Sequence, residues 1–229
     1  GRVEAAPGEK VQADFTTIRR GPNRLMAFVV TLGYSRASWV RFTTDERAVT
    51  LCDCLRDALI HFGGVPKHVL FDNAGTIVTE RDAYGPGEHR WHSQLLALAE
   101  EYGFGLRLCR PYRARTKGKV ERFNGYLKRS FLVPLAASLK QSGLRLDVQA
   151  ANAHVGPWLA KVANARIHGT TGERPDVRLN VERGALMPLP SPRMATRLPS
   201  TARSSMPMPV ESLQHPLSIY EALLVQEDA

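Results

Sequence analysis

The sequence predicts an α/β fold, a mixed five-stranded sheet flanked by helices, on three observations. Strand-like runs at 11–17, 25–32 and 38–42 follow one another through short turns. A helical pattern separates them from a short apolar run at 68–71, and another separates that run from one at 105–109. Strands joined by tight turns pair antiparallel, whereas a strand reached through a helix returns parallel, so the sheet is mixed.

Residues 1–10 are small and polar and read as a lead-in. Val11, Ala13 and Phe15 then alternate with Gln12, Asp14 and Thr16, the period of a strand. Aspartate is depleted in strands, which makes Asp14 conspicuous. Gly21-Pro22-Asn23 turns the chain into Leu25–Leu32, an unbroken apolar run suited to a central strand, and Ser38–Phe42 gives a third. Thr43-Thr44-Asp45-Glu46 has capping-box spacing and launches a helix bearing Val49, Cys52, Leu55, Leu59 and Phe62, which Gly63-Gly64-Val65-Pro66 stops. His68–Phe71 is the fourth strand, with Asp72 and Asn73 at its carboxyl end, where sites in open α/β sheets are built.

Charged residues and Gly85-Pro86-Gly87 make 74–90 read as a loop, ahead of a helix over 91–102 and the fifth strand over 105–109. From Lys117 the pattern is helical again, with Val120, Phe123, Leu127 and Phe131 forming an apolar stripe. A further helix spans about 148–167 and ends in the turn-rich His168–Pro175. Beyond it the prolines thicken and aromatics vanish until Tyr220, the composition of a linker. The expected organisation is therefore a lead-in over 1–10, a core over 11–175, a linker over 176–212, and a short helix or docking segment over 213–229. A chain beginning at Gly1 is expected to be a fragment.

Composition narrows the function classes. A formal charge of +9 favours a polyanionic partner, nucleic acid first. Three cysteines, Cys52, Cys54 and Cys109, make neither an even disulfide framework nor a zinc site, which points to a reducing cytosol. No apolar run approaches the roughly 20 residues of a membrane span.

Within Arg110–Arg129, eight basic side chains surround one acid, Glu121. Such a surface attracts phosphate, and a carboxylate inside it repels phosphate unless a divalent cation stands between them. Asp14, Asp72 and Glu121 meet only if the fold sets the first and fourth strands side by side with the late helix across that edge. Three carboxylates without histidine or cysteine suit Mg²⁺ or Mn²⁺, and two ions would activate a hydroxyl nucleophile and stabilise the leaving oxygen of a phosphodiester. Singly, each acid has a plainer explanation. Asp14 could face solvent, Asp72 could make an Asx-turn, and Glu121 could pair with Lys117 along a helix. His89 and His92, three apart in the loop region, lack the companions of a metal site. Arg113, Arg115, Lys117, Lys119, Arg122, Asn124 and Lys128 are the expected DNA contacts. Contacts of this kind position DNA without reading its sequence and weaken steeply with salt.

VQADFT around Asp14, VLFDNAG around Asp72 and YRARTKGKVERFNGYLKR around Glu121 resemble the Asp, Asp, Glu signatures of the integrase and transposase superfamily. IstA-type bacterial insertion-sequence transposases match best, with RTKGKVER the most specific part, over roughly residues 10 to 185. The resemblance implies a ribonuclease H-like core and a metal-dependent DNA transposase that exposes 3′-OH ends and joins them to target DNA. It also implies multimers on paired double-stranded DNA ends, an AAA+ helper ATPase as partner, and a cytoplasmic, nucleoid-associated setting in a bacterium. The helix-turn-helix region and small β-barrel usual around such a core are not recognisable here. Two other readings stand beside it: a truncated relative that binds DNA or a sister subunit without chemistry, and a ribonuclease H-type nuclease cutting RNA in hybrids.

Overall fold

The computed structural model of the chain describes residues 5–71, 77–85, 88–109 and 122–191. Its five-stranded sheet has the order β3-β2-β1-β4-β7, from β1 (Lys10–Arg19), β2 (Leu25–Leu32), β3 (Ser38–Thr43), β4 (His68–Phe71) and β7 (Gly105–Leu108). β1–β2 and β2–β3 pair antiparallel, β1–β4 and β4–β7 parallel, so the sheet is mixed and five-stranded as its sequence predicts. β2 is buried at every position, which is why it reads as an unbroken apolar run. The stretch expected as a loop instead forms a hairpin of β5 (Val78–Gly85) and β6 (Glu88–Trp91), whose pairing is interrupted by register shifts. Its polar, irregular ladder hides the alternation by which strands are recognised.

One face of the sheet is covered by α1 (Ala48–Phe62) and α2 (Ser93–Tyr102). Val11, Ala13, Phe28, Val30 and Phe71 pack there with Leu51, Cys52, Leu55, Leu59 and Phe62. α1 begins later than its capping-box spacing suggests, because Asp45 spends its carboxylate on the Arg47 backbone N–H, the Arg47 guanidinium and the Thr50 hydroxyl. Val49 consequently falls in the first turn and is 53% exposed. His92, whose imidazole accepts from the Gln94 N–H, caps α2, so Trp91 belongs to β6 and not to the helix.

The other face presents Leu25, Ala27, Val29, Val40 and Phe42 to two further helices. α3 is described over residues 122–141 and passes through a π-turn at Lys128–Leu132, so it runs well past Phe131, where the apolar stripe fades. α4 (Val148–Trp158) starts on Asp147, which accepts from the Ala150 N–H at 2.8 Å. Pro157 cannot donate to the helical ladder, and α4 widens into a π-turn over Leu159–Ala163. Leu127, Phe131, Ala151, Val155 and Leu159 fill the layer, and the Phe131 ring stacks on Phe42 at 6.0 Å. Truncating such a phenyl to alanine costs about 3–5 kcal/mol.

Two asparagines close the sheet edge at β3. Asn152 accepts from the Phe42 N–H at 2.8 Å and donates to the Phe42 carbonyl at 2.9 Å, and Asn164 does the same for Ser38 at 2.9 Å each way. Each primary amide stands in for the peptide group of a missing neighbour strand, which blunts an edge that would otherwise template further pairing.

The end of the sheet where β1 starts is fastened by α5 (Pro175–Arg183), which occupies the first part of the stretch expected as linker. Glu182, 0% exposed, accepts from the Gly8 N–H at 3.2 Å and the Ser35 N–H at 2.9 Å. Arg183 donates from Nε to the Phe62 carbonyl at the end of α1, and Val65 pairs with Met187. Composition missed this helix because its anchors include Arg178 and Glu182, polar residues that become buried by hydrogen bonding. Residues from 192 onward, with the expected docking segment, lie outside the described residues.

Candidate metal and nucleic-acid site

The parallel register of β1 and β4 runs Lys10 to His68, Val11 to Val69, Gln12 to Leu70 and Ala13 to Phe71. The last pair consists of the residues that immediately precede Asp14 and Asp72 in the chain. Asp14 is half-buried and lines a small cleft with Phe15, Phe28, Glu46, Leu51, Phe71 and Ile77. Glu46 was not singled out in the sequence because it sits in helix-start spacing, and its carboxylate takes Arg24 Nη2 at 2.9 Å. Asp72 and Glu121 lie outside the described residues, as do Arg113, Arg115, Lys117 and Lys119.

Side chains alternate along a strand. Val11 and Ala13 point into the layer under α1, so Gln12, Asp14 and Thr16 share the face that α3 and α4 cover. α3 is held against β1 by Lys128, whose Nζ donates to the Thr17 carbonyl at 3.4 Å. Arg122 and Lys128 are exposed, as phosphate contacts need to be, whereas Asn124 turns inward with its Oδ1 buried. Behind them Trp158 is enclosed by Phe123, Tyr126 and Phe131, and the Arg166 guanidinium lies 3.6 Å from the Tyr126 centroid, a cation–π contact.

The basic character continues into the turn after α4. The His168 imidazole is held below its usual proton affinity, first by burial and then by Arg166, Arg36, Arg122 and Arg178.

Other candidate chemistry resolves into structure. His89 Nδ1 accepts from the Asp82 N–H at 3.1 Å, which together with the cap on His92 ties both loop histidines to backbone. Cys52 and Cys54 are buried, and burial pushes the Cys54 thiol up to about 12, far from a reactive thiolate. Among the described residues no three His, Cys, Asp or Glu side chains group to hold a metal, and no helix is long and apolar enough to cross a membrane.

Residues 4–114 match the family described as Integrase core domain. The chain is similar to the putative transposase for insertion sequence element IS5376 of Geobacillus stearothermophilus, with 39% identity over 194 residues, covering 82% of this chain and 45% of the relative. It is similar also to the transposase for insertion sequence element IS21 of Pseudomonas aeruginosa, with 35% identity over 194 residues, covering 82% and 47%. The chain thus spans about half the length of the curated relatives it matches. In structure it is similar to the HTLV-2 integrase catalytic core domain in complex with magnesium, with a TM-score of 0.53 and 16% identity, covering 77% of this chain and 99% of that one. It is similar as well to a chain of the simian T-cell lymphotropic virus intasome, with a TM-score of 0.55 and 19% identity, covering 82% and 56%. These two show a shared fold, the ribonuclease H-like arrangement of a mixed five-stranded sheet between helices.

Proposed function

From the premise that this chain belongs to the integrase-core family of bacterial insertion-sequence transposases, we propose that it is a polynucleotidyl transferase core that exposes 3′-OH ends of its element and joins them to target DNA. The observation that carries this reading is the parallel pairing of β1 and β4 with Ala13 opposite Phe71. Ala13 and Phe71 immediately precede Asp14 and Asp72 in the chain, which supports reading the two acids as partners, and Glu121 directly precedes in sequence the described part of α3, the helix Lys128 ties to β1.

The donor chemistry fits a hard divalent cation. Asp14 is a half-buried hard oxygen donor beside a small cleft, and no histidine or cysteine lines that cleft. In this reading Asp14, Asp72 and Glu121 hold two Mg²⁺ or Mn²⁺ ions, as magnesium accompanies the HTLV-2 integrase core. Bound metal would lower the pKa of the attacking hydroxyl and neutralise charge on the leaving oxygen. The chain's own side chains do the rest. Phe15, Phe28, Phe71 and Ile77 wall the cleft, and Arg24 fixes Glu46 so that the second acid on it points at a cation of the protein. Arg122 and Lys128, with Arg113, Arg115, Lys117 and Lys119, position the duplex backbone, whereas Asn124, expected among them, turns inward.

The same reading carries multimers on paired DNA ends, an AAA+ helper ATPase, and a cytoplasmic protein that associates with the nucleoid through its DNA. The test is joining of a pre-cut duplex end to plasmid DNA in Mg²⁺ or Mn²⁺, for the chain extended to the length of its relatives. A joined product that needs metal and disappears in Asp14→Asn and in Glu121→Gln is expected. A chain that binds DNA tightly yet forms no product, once full length is restored, would leave the non-catalytic DNA-binding reading in its place.

A further inference from the structure

Buried polar atoms almost always find a partner, so those that do not point to something the fold accommodates. Three such atoms lie in the layer between the sheet and α3 and α4, and two of them are side-chain amides. Gln12 is 8% exposed and its Nε2 amide finds no acceptor among the described residues. It stands two residues before Asp14 on the face that α3 covers. Asn124, on α3, has a buried Oδ1 that finds no donor. It lies at helical spacing before Leu127 and Phe131, both buried against this face of the sheet, so it belongs to the sheet-facing stripe.

The two orphans are complementary, one a donor on β1 and the other an acceptor on α3. They are also set in polar surroundings. Thr31 is the cross-strand neighbour of Gln12, and its hydroxyl is hydrogen-bonded to Ser38 at 2.8 Å. A buried water needs two or more such partners, and an apolar void would stay dry.

We propose that Gln12 and Asn124 are positioning residues joined through one buried water, which accepts from Gln12 Nε2 and donates to Asn124 Oδ1, and that this strut between β1 and α3 sets how well Asp14 binds a divalent cation. The inference rests on the functional reading above for its metal, but the strut itself does not. Gln12 stands two residues before Asp14 on β1, so the strut acts on the carboxylate through the placing of its strand against α3 and is felt as metal affinity. Lys128 fixes α3 at the level of Thr17 from outside, and the strut fixes it from within.

The experiment takes the full chain as Gln12→Leu, Asn124→Leu and the double variant, with two readouts. The first is thermal unfolding without metal, where each single variant leaves one amide orphaned and the double leaves none. The double variant is expected to lose clearly less stability than the two singles added together, the signature of a shared partner. The second is Mn²⁺ titration followed calorimetrically, where half-saturation is expected to move up by about tenfold or more in all three variants. If a single variant fails to fold, the double variant still reports on both counts.

Additive losses of stability would overturn the strut, as would coupling of Asn124 to Trp158, whose Nε1 is a third orphan of this layer. An unchanged Mn²⁺ half-saturation alongside a coupled unfolding cycle would overturn the positioning role and leave a purely structural bridge. Failure of the unaltered chain to take up Mn²⁺ at all would sink the functional reading instead, and the unfolding cycle would then decide the strut alone.

Discussion

Glu182 and Asp14 are both carboxylates set into the frame of the sheet, and the protein treats them in opposite ways. Glu182 is fully enclosed and spends its oxygens on the backbone N–H groups of Gly8 and Ser35. Around it Arg178 Nε donates to the Tyr34 carbonyl, Arg183 caps α1, and a Cβ on Gly8 would meet the Ala185 carbonyl oxygen at 2.2 Å. Asp14, further along β1, is half-buried on a cleft, in front of a layer that keeps two amides unpartnered. A carboxylate saturated by backbone donors is a fastener. Asp14 is held nearer solvent, and the contrast sets the end of β1 that fastens the fold against the end where the proposed site lies.

The sharpest way to break this comparison is to remove each acid and ask what is lost. Asp14→Asn is expected to lower strand joining by about a thousandfold or more, the loss of several kcal/mol of metal-borne stabilisation, while thermal stability holds. Equal loss of folding in Asp14→Asn would erase the distinction. Glu182→Ala should behave in reverse. Leaving two buried N–H groups without an acceptor costs about 2–6 kcal/mol in urea unfolding, with metal affinity per folded molecule unchanged. A smaller effect sharpens the account of the edge strand. Asn164→Ala strips the Ser38 peptide of both partners, and a loss of about 1–3 kcal/mol together with concentration-dependent association is expected by unfolding and light scattering.

The smallest effect is a pH slope. Burial first, and then Arg166, Arg36, Arg122 and Arg178, disfavour the proton on His168, so its folded pKa lies below the ordinary 6.5. The unfolded chain binds that proton more readily, and stability therefore falls as pH drops below 6.5 and is level above it. His168→Gln should shallow that slope when unfolding is compared between about pH 5.5 and about pH 7.5.

Much of the frame was legible because its signals are local. The alternation of Val11, Ala13 and Phe15, the unbroken apolar run of β2 and the glycine stop after Phe62 each depend only on neighbours in sequence. What escaped depends on partners far along the chain. Asp45 and Glu46 look like a helix start, yet one bonds Arg47 and Thr50 while the other bonds Arg24. α5 looks like linker because Arg178 and Glu182 are charged, and only the fold supplies Tyr34, Gly8 and Ser35 to receive them. Asn124 looks like a surface contact of a basic helix, whereas the stripe it shares with Leu127 turns it inward. The acids themselves were visible as residue types in a basic setting, but adjacency of the first and fourth strands had to come from the sheet order.

The most direct test of the central claim is an anomalous-scattering map of crystals soaked in Mn²⁺. The account predicts peaks at the Asp14 carboxylate shared with Asp72 and Glu121, and none at Glu182. Manganese bound elsewhere, with Asp14 bare in well-ordered density, would contradict it.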